Sequence, residues 1–155
     1  MKRSLIIGLL LSISLFSCED TEDNRPALQG VVDQVFFRAN NTIADTPGNA
    51  VVIQGESEDE FLTLRLPSLQ PGVYDLEEND SVYASFTDFN GNLYRTTQDS
   101  RGKIVISDQN GSAVTGTFNF IAYLPGLDTL VVEKGVFYEI RYDLGFELDD
   151  PLVNE

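Results

Sequence analysis

The sequence predicts an all-β domain, an antiparallel β-sandwich of about ten short strands. From Leu28 onward apolar and polar residues alternate, as they do in strands with one buried face and one solvated face. Turn dipeptides recur at short spacing, and no stretch after residue 17 keeps the i, i+3, i+4 apolar stripe of a helix. Short strands joined by tight turns also build barrels, so a closed or partly open β-barrel is the alternative architecture.

Three alternating runs define the inward face of the predicted sheet. The residues predicted to face the core are Leu62, Leu64 and Leu66; Val114, Gly116, Phe118, Phe120 and Ala122; and Val136, Tyr138, Ile140 and Tyr142. The predicted strands cover residues 28–32, 35–40, 50–55, 60–66, 72–76, 82–87, 92–97, 103–107, 113–123 and 128–142. Gly135 lies inside the last strand, where a glycine is typical of a bulge or a bend.

Seven dipeptides mark the predicted turns between these strands. Asn-Gly between alternating runs is typical of a two-residue hairpin, because both central residues of that turn adopt positive φ. The dipeptides are Asp33-Gln34, Pro47-Gly48, Pro71-Gly72, Asn90-Gly91, Arg101-Gly102, Asn110-Gly111 and Pro125-Gly126.

The start of the chain is typical of an export signal. Lys2 and Arg3 precede an apolar run of 12 residues, Leu5 to Phe16. A membrane-spanning helix needs roughly 20 residues, so this run indicates a secretory signal peptide instead. Residues 15–18, Leu-Phe-Ser-Cys, resemble a bacterial lipobox, which implies cleavage after Ser17 and lipid attachment to Cys18. Cys18 is the only cysteine and has no disulfide partner within the chain, which favours lipidation over an ordinary signal peptide.

These features divide the chain into four parts. Residues 1–17 are the predicted lipoprotein signal peptide, 18–27 an acidic tether, 28–142 the all-β domain and 143–155 an acidic C-terminal tail. Acidic residues directly after a lipidated cysteine resemble an export signal for the outer leaflet of the outer membrane. We therefore expect a protein anchored to the outer membrane through lipid on Cys18, facing the periplasm or the cell surface.

The charge of the chain limits its partners. The formal net charge is −15, and loss of Lys2 and Arg3 with the signal leaves 8 basic and 25 acidic residues, a charge of −17. Such a surface repels nucleic acid, so no nucleic-acid partner is expected. With 42% hydrophobic residues the chain can still form a packed core.

Residue types needed for several catalytic mechanisms are missing. The chain has no histidine, which excludes Ser-His-Asp catalysis and imidazole zinc ligands, and its one thiol is assigned to lipid. No Gly-x-x-x-x-Gly-Lys-Ser/Thr phosphate loop occurs. We therefore expect no enzyme, no catalytic residue, no cofactor and no metal site.

Acidic side chains are the remaining candidates for chemistry. Two acidic clusters are interpreted as solvated loops, with a glycosidase carboxylate pair as the alternative. The first cluster is Glu56, Glu58, Asp59 and Glu60, and the second is Asp75, Glu77, Glu78 and Asp80. Two further stretches share the pattern Asp-x-Asn-Gly-polar, which is similar to the start of a calcium loop. They are Asp88-Phe89-Asn90-Gly91-Asn92 and Asp108-Gln109-Asn110-Gly111-Ser112. Their glycine is fourth rather than sixth, and they lack the glutamate at position twelve, so hairpin turns are the preferred interpretation.

Aromatic residues offer a second type of candidate site. They are interpreted mainly as core and cross-strand packing, because sugar-binding platforms favour tryptophan and this chain has none. The aromatics considered for a binding platform are Tyr74, Tyr83, Phe86, Phe89, Tyr94, Tyr123, Phe137, Tyr138 and Tyr142.

Three stretches recur in an order that resembles a known family. They are Val32-Asp33, the strand-turn-strand from Leu64 through Pro71-Gly72 to Leu76, and residues 114–120, Val-Thr-Gly-Thr-Phe-Asn-Phe. They resemble a family of small Bacteroidota envelope lipoproteins classed as a domain of unknown function, over most of residues 28–142. The chain departs from that family at Gln34, where the family tends to have glycine. The resemblance implies a fold and a location and carries no activity.

The expected function is that of a binding or accessory module on the bacterial surface that performs no catalysis. A glycan, a peptide or another envelope protein is the expected class of partner. A structural surface protein is the first alternative. A carrier of a small apolar ligand is the second, if the strands close around a hollow centre.

Overall fold

The computed structural model describes residues 27–46, 50–76, 81–126 and 128–142. These residues form eleven strands and no helix, which confirms the all-β class. The strands are β1 (Ala27–Val32), β2 (Val35–Arg38), β3 (Asn41–Asp45), β4 (Val51–Glu56), β5 (Phe61–Leu66), β6 (Gly72–Asp75), β7 (Tyr83–Thr87), β8 (Leu93–Arg95), β9 (Gly102–Asn110), β10 (Ala113–Leu124) and β11 (Asp128–Arg141).

All eleven strands belong to one antiparallel sheet. Its main path runs β2-β1-β11-β10-β8-β7-β5-β4-β3, and a branch at β10 adds β9 and then β6. The sheet curls into a half-barrel. A single bridge between Ala44 of β3 and Tyr142 brings the far edge of the sheet back to the end of β11. Of the two predicted architectures, the arrangement therefore matches the partly open barrel.

The sequence analysis did not predict one of the strands, β3. Residues 41–45, Asn-Thr-Ile-Ala-Asp, form β3, in which Ala44 is the only buried residue. An edge strand with one buried position has almost no alternating apolar pattern to detect. The ten predicted strands all exist, with ends that differ by up to three residues.

The predicted inward faces of β5 and β10 are confirmed. The core holds Leu62, Leu64 and Leu66 of β5, and Val114, Phe118, Phe120 and Ala122 of β10, all at most 3% exposed. Gly116 is buried as well, and Thr117 between these positions is exposed.

The predicted face of β11 is wrong at Val136 and Tyr138. Phe137 is fully buried, whereas Val136 and Tyr138 are half-buried on the outer face. Two bulges cause this: Lys134 and Glu139 have φ of 51° and 48°, and the pairing with β10 shifts at both places. Each bulge adds one residue and so reverses which side chains face the core. The bulge at Lys134 confirms the irregularity expected at Gly135.

The hairpin turns follow a different rule from the one predicted. Asp33 and Gln34 have φ of 45° and 71° and form a two-residue turn with positive φ at both centres. The two Asn-Gly pairs do not form two-residue turns of this kind. Gly91 closes a three-residue loop by donating its N–H to the Asp88 carbonyl, and the second turn is Gly111-Ser112, one residue later than predicted. The Pro47-Gly48 turn lies outside the described residues.

Aromatic rings cover part of the buried face of β10 and β11. Phe118 stacks with Phe120 and with Phe137, at centroid distances of 6.2 and 6.4 Å. The Phe137 ring lies over Gly116, where an added Cβ would come within 2.3 Å of it. The Phe118 ring lies in the same way over Gly135. This part of the core is packed with side chains.

Within the described ranges, no helix is long and apolar enough to cross a membrane. The predicted signal peptide, Cys18, all but the last residue of the tether, and the acidic tail from Asp143 to Glu155 lie outside those ranges.

Candidate functional site

A cleft of about 260 Å³ opens where the β1–β2 and β7–β8 hairpins meet. The β1–β2 turn, the loop after β7 and the start of β5 surround it. We call it the hairpin cleft; its lining residues are Val32, Asp33, Val35, Phe36, Phe37, Glu60, Phe86, Asp88, Phe89, Tyr94 and Leu130.

The hairpin cleft exists because one continuous segment changes its pairing partner. β2 pairs with β1, but after Asn40 the chain continues as β3 and pairs with β4. The change is marked by the Ala39 N–H, which bonds to the Leu28 carbonyl, and the Asn40 N–H, which bonds to the Glu56 carbonyl. On the β2 side of Asn40, the chain stays beside β1, whereas the turn after Glu56 continues from β4 into β5. β2 and this turn therefore diverge, and the cleft lies in the gap between them.

Apolar side chains form the floor and the rim of the cleft. On the floor, the rings of Phe37 and Phe86 meet edge to face at 5.5 Å, and both are buried. On the rim, Val35, Phe36 and Phe89 are 69%, 63% and 71% exposed. Large apolar groups grouped around a cavity are typical of a surface that binds a partner.

Three carboxylates share the cleft with these apolar groups, and none of its eleven lining residues is a lysine or an arginine. Asp33 Oδ1 accepts the Val131 N–H at 2.9 Å, and Glu60 Oε2 accepts the Ser57 hydroxyl at 3.3 Å. Asp88 Oδ1 accepts the N–H groups of Asn90 and Asn92, and its Oδ2 accepts Asn92 Nδ2. The carboxylates are therefore held in place by hydrogen bonds.

Two lining groups, Asp88 and Tyr94, have shifted pKa values, and the shift of Tyr94 reflects the nearby negative charges. Desolvation of Asp88 acts to raise the pKa of its carboxyl, but hydrogen bonds from Asn92 and Asn90 together outweigh it, so that pKa is lowered. Desolvation also raises the pKa of the Tyr94 hydroxyl, and the charges of Asp88, Asp128 and Asp33 raise it further. The cleft is therefore apolar in lining and negative in potential.

The chain enters and leaves the described domain away from the cleft. β1 starts at Ala27, opposite Tyr138, and reaches the cleft only at Val32. Five steps along a strand span about 17 Å. β11 touches the cleft at Leu130 and ends at Arg141, further along the same direction. The start of β1 therefore lies about 17 Å along the strand from the residue that lines the cleft.

The predicted aromatic platform divides into three groups. Phe86, Phe137 and Tyr142 are buried, with Phe86 on the floor of the cleft, and Phe89 and Tyr94 line the cleft nearer to solvent. The others are half-buried elsewhere: Tyr74, Tyr83, Tyr123 and Tyr138. The guanidinium groups of Arg95 and Arg65 lie over the Tyr83 ring, at 4.1 and 5.9 Å from its centre.

The structure brings one residue of the two predicted carboxylate clusters to the cleft. Of the first cluster only Glu60 lines the cleft, and of the second Glu77, Glu78 and Asp80 lie outside the described residues. In the part of the chain that the structure describes, no three acidic side chains lie close enough together to hold a metal ion. Asp88 and Asp108 lie at hairpins, and Asp88 binds its own loop.

Val35, Phe36 and Phe37 are lining residues that the sequence analysis did not consider as a site, and Phe36 is the most informative of them. Residues 35–37 are Val-Phe-Phe, three apolar residues in succession within a strand that alternation would bury at every second position. Such a run leaves at least one large apolar side chain outside the core, and that signal was present in the sequence.

A family described as a domain of unknown function (DUF6252) matches residues 24–141. No curated protein and no solved structure matches the chain. The family match includes all the strands that the structure describes and the whole hairpin cleft. The chain therefore belongs to the DUF6252 family of domains of unknown function.

Proposed function

We propose that this protein is a lipid-anchored binding module of the bacterial cell envelope, and that it performs no catalysis. Its hairpin cleft holds an apolar segment of a peptide or of another envelope protein. The lipobox at Leu15–Cys18 and the resemblance to Bacteroidota lipoproteins support the anchor and the outer-membrane location.

One observation carries the binding role: the concentration of exposed apolar side chains around the cleft. Burial of an apolar surface against a partner stabilises a complex by roughly 25 cal/mol per Å². Phe36 and Phe89 each present most of their ring to solvent at the rim. Docking a partner there removes that surface from water.

The two alternative functions receive less support. A carrier needs a hollow apolar centre, but Phe118 and Phe137 lie directly over Gly135 and Gly116 in the core. A purely structural role does not require a cleft with exposed aromatic side chains.

The position of the cleft fits a lipid anchor on Cys18. Residues 18–26 are nine residues before β1, and a fully extended chain spans at most about 3.6 Å per residue, roughly 32 Å in all. Because β1 begins away from the cleft, an anchor at the start of such a tether would leave the cleft free to meet a partner.

Selection from a random peptide library displayed on phage tests the binding role. The full chain purified in detergent is the bait, and Phe36→Ala and Phe89→Ala are the test variants. Enriched peptides should bind the wild type and lose most binding to either variant. The control is Val73→Ala, since Val73 is 59% exposed on β6 and outside the cleft. Failure to enrich any peptide that depends on Phe36 or Phe89 would refute the proposed function.

The anchor is tested separately with Cys18→Ala. The variant should lose lipid modification and cleavage after Ser17, because the thiol is the group that the lipid would modify. Metabolic labelling with a palmitate analogue, followed by membrane fractionation, measures both effects. Equal labelling of variant and wild type would disprove the anchor without affecting the binding role.

A further inference from the structure

We propose that the partner segment binds as an added β-strand along the unpaired edge of β2, and that it alternates apolar residues with lysine or arginine. This inference rests on the proposed function of the hairpin cleft. It adds the conformation and the charge of the partner.

The hydrogen-bonding phase of β2 shows which backbone groups face the gap. Val35 pairs with Val32 across the two-residue turn, Phe37 pairs with Gly30, and the Ala39 N–H bonds to the Leu28 carbonyl. Hydrogen-bonded pairs alternate with non-bonded pairs in an antiparallel ladder. The residues between them, Phe36 and Arg38, therefore direct their N–H and C=O groups away from β1.

That edge of β2 is unpaired. β2 is the first strand in the sheet order, and among the described strands only β1 pairs with it. Natural edge strands are commonly protected by charged residues or proline. In β2 the three residues nearest the cleft are Val35, Phe36 and Phe37, and Arg38 is the only charged residue. A strand laid beside β2 at the usual spacing of about 4.8 Å would enter the gap that forms the cleft.

Charge selects the occupant. Asp33, Glu60 and Asp88 face the cleft, and its lining contains no basic residue. The segments of this chain outside the described residues carry like charge: Glu19, Asp20, Glu22 and Asp23 before β1, and Glu147, Asp149, Asp150 and Glu155 after β11. A second copy of the chain brings a net charge of −15 as well. A segment with basic side chains beside apolar ones complements both features of the cleft.

A synthetic probe with this chemistry tests the inference directly. We choose a seven-residue peptide in which lysine alternates with valine and phenylalanine, labelled for fluorescence anisotropy. The full chain purified in detergent should bind it, and a matched peptide with glutamate in place of lysine should bind at least about tenfold more weakly. Equal binding of the two peptides would overturn the charge requirement.

Methylation of single backbone nitrogens in the probe tests the added strand. In such a strand every second N–H points toward β2 and the others point away. Methylation at one set of alternate positions should weaken binding about tenfold or more, and methylation at the other set should change it little. A uniform effect, or none, would overturn strand addition. The proposed function would stand in that case if binding still required Phe36 and Phe89.

Two matched pairs of variants locate the probe. Glu60→Gln should weaken binding and reduce its salt dependence, whereas Asp59→Asn, an identical change of charge at the exposed neighbour, should have little effect. Phe36→Ala should weaken binding, whereas Val73→Ala should not. Equal effects within either pair would place the probe elsewhere and overturn the inference. Dimer formation at micromolar concentration that Phe36→Ala abolishes would also overturn it, in favour of a second copy as the occupant.

Discussion

At the residue scale, the backbone of Asp33 and Gln34 is strained. Both adopt the left-handed region, with φ of 45° and 71°. That region costs a side chain other than glycine roughly 1–2 kcal/mol, although aspartate tolerates it better than most. Asp33 offsets part of this cost, because its N–H bonds to the Val131 carbonyl and its Oδ1 accepts the Val131 N–H, both at 2.9 Å. Gln34 has no bond of this kind among those of the described residues.

We predict that Gln34→Gly raises the free energy of unfolding by up to about 1 kcal/mol, because glycine adopts positive φ without the steric cost. Denaturant unfolding with a common slope measures the change. Gln29→Gly is the control: Gln29 lies inside β1, where glycine should lower stability by about 0.5–1 kcal/mol. A decrease in stability for both variants would contradict the predicted strain at Gln34.

We predict a pH-dependent contribution from Asp88. Its pKa is lowered in the folded state, so it contributes stability that is present above its unfolded pKa of about 3.9 and is lost as the pH falls through the folded pKa. The difference in stability between wild type and Asp88→Asn should therefore be largest above about pH 4 and shrink below it. Chemical denaturation at several pH values from neutral to strongly acidic measures this difference. A difference that stays constant over the whole range would refute the assignment.

At the scale of elements, β10 and β11 depend on small residues opposite large rings. Gly116 pairs with Phe137, and an added Cβ at Gly116 would lie 2.1 Å from the Val105 carbonyl oxygen as well as against the Phe137 ring. We predict that Gly116→Ala lowers the free energy of unfolding by about 1–3 kcal/mol or more, as overpacking does. Thermal and denaturant unfolding measure the loss.

Gly72→Ala is the matched control, because the nearest atom to an added Cβ there is 3.9 Å away and Gly72 begins the exposed strand β6. Its effect should stay within about 0.5 kcal/mol, as for other surface substitutions. Equal losses for the two variants would mean that the close contact at Gly116 is relieved by movement of β9 or of the Phe137 ring.

A comparison of β11 with β5 and β10 explains where the alternating pattern predicted the wrong buried face. β5 and β10 keep one face along their whole length, so Leu64 and Phe118 are buried as the pattern predicts. β11 contains two bulges, and the second, at Glu139, has no glycine to mark it. There the Glu139 N–H bonds to Thr115 Oγ1 at 3.0 Å, a contact between strands 24 residues apart in sequence. Reading one strand alone cannot reveal a bulge that its neighbour stabilises.

At the scale of the whole molecule, the dominant property is charge. The full chain carries −15, and the predicted cleavage after Ser17 would leave 8 basic and 25 acidic residues, a charge of −17; either charge opposes folding by self-repulsion. We predict that sodium chloride raises the melting temperature by screening, and that calcium chloride at equal ionic strength adds almost nothing. Thermal melts in the two salts measure this.

A built calcium site would give a different result. It would stabilise by RT ln(1 + [Ca]/Kd), about 2.7 kcal/mol at a hundredfold excess over Kd. The clusters to examine are residues 56–60 and 75–80, because they concentrate the carboxylates. A calcium-specific rise of several degrees would disprove the expectation of no metal site.

Only part of the candidate site was accessible from the sequence. Phe89 and Tyr94 stood among the aromatics considered, and Glu60 stood in an acidic cluster, but each was interpreted separately. Their convergence depends on the change of pairing partner at Asn40, before which β2 pairs with β1 and after which β3 pairs with β4. That change of partner joins residues more than 50 positions apart, such as Phe36 and Phe89, and no local pattern encodes it.

The sequence by itself determined the all-β class, the number of strands to within one, the buried faces of β5 and β10, and the bulge near Gly135. These depend on alternation and on glycine, which act over a few residues. The tertiary structure alone decided that the strands form one curled sheet, that β11 reverses its face at Glu139, and that the hairpin cleft opens beside β2. These depend on which strands pair and in what register, and many pairings of the same alternating strands bury the same residues.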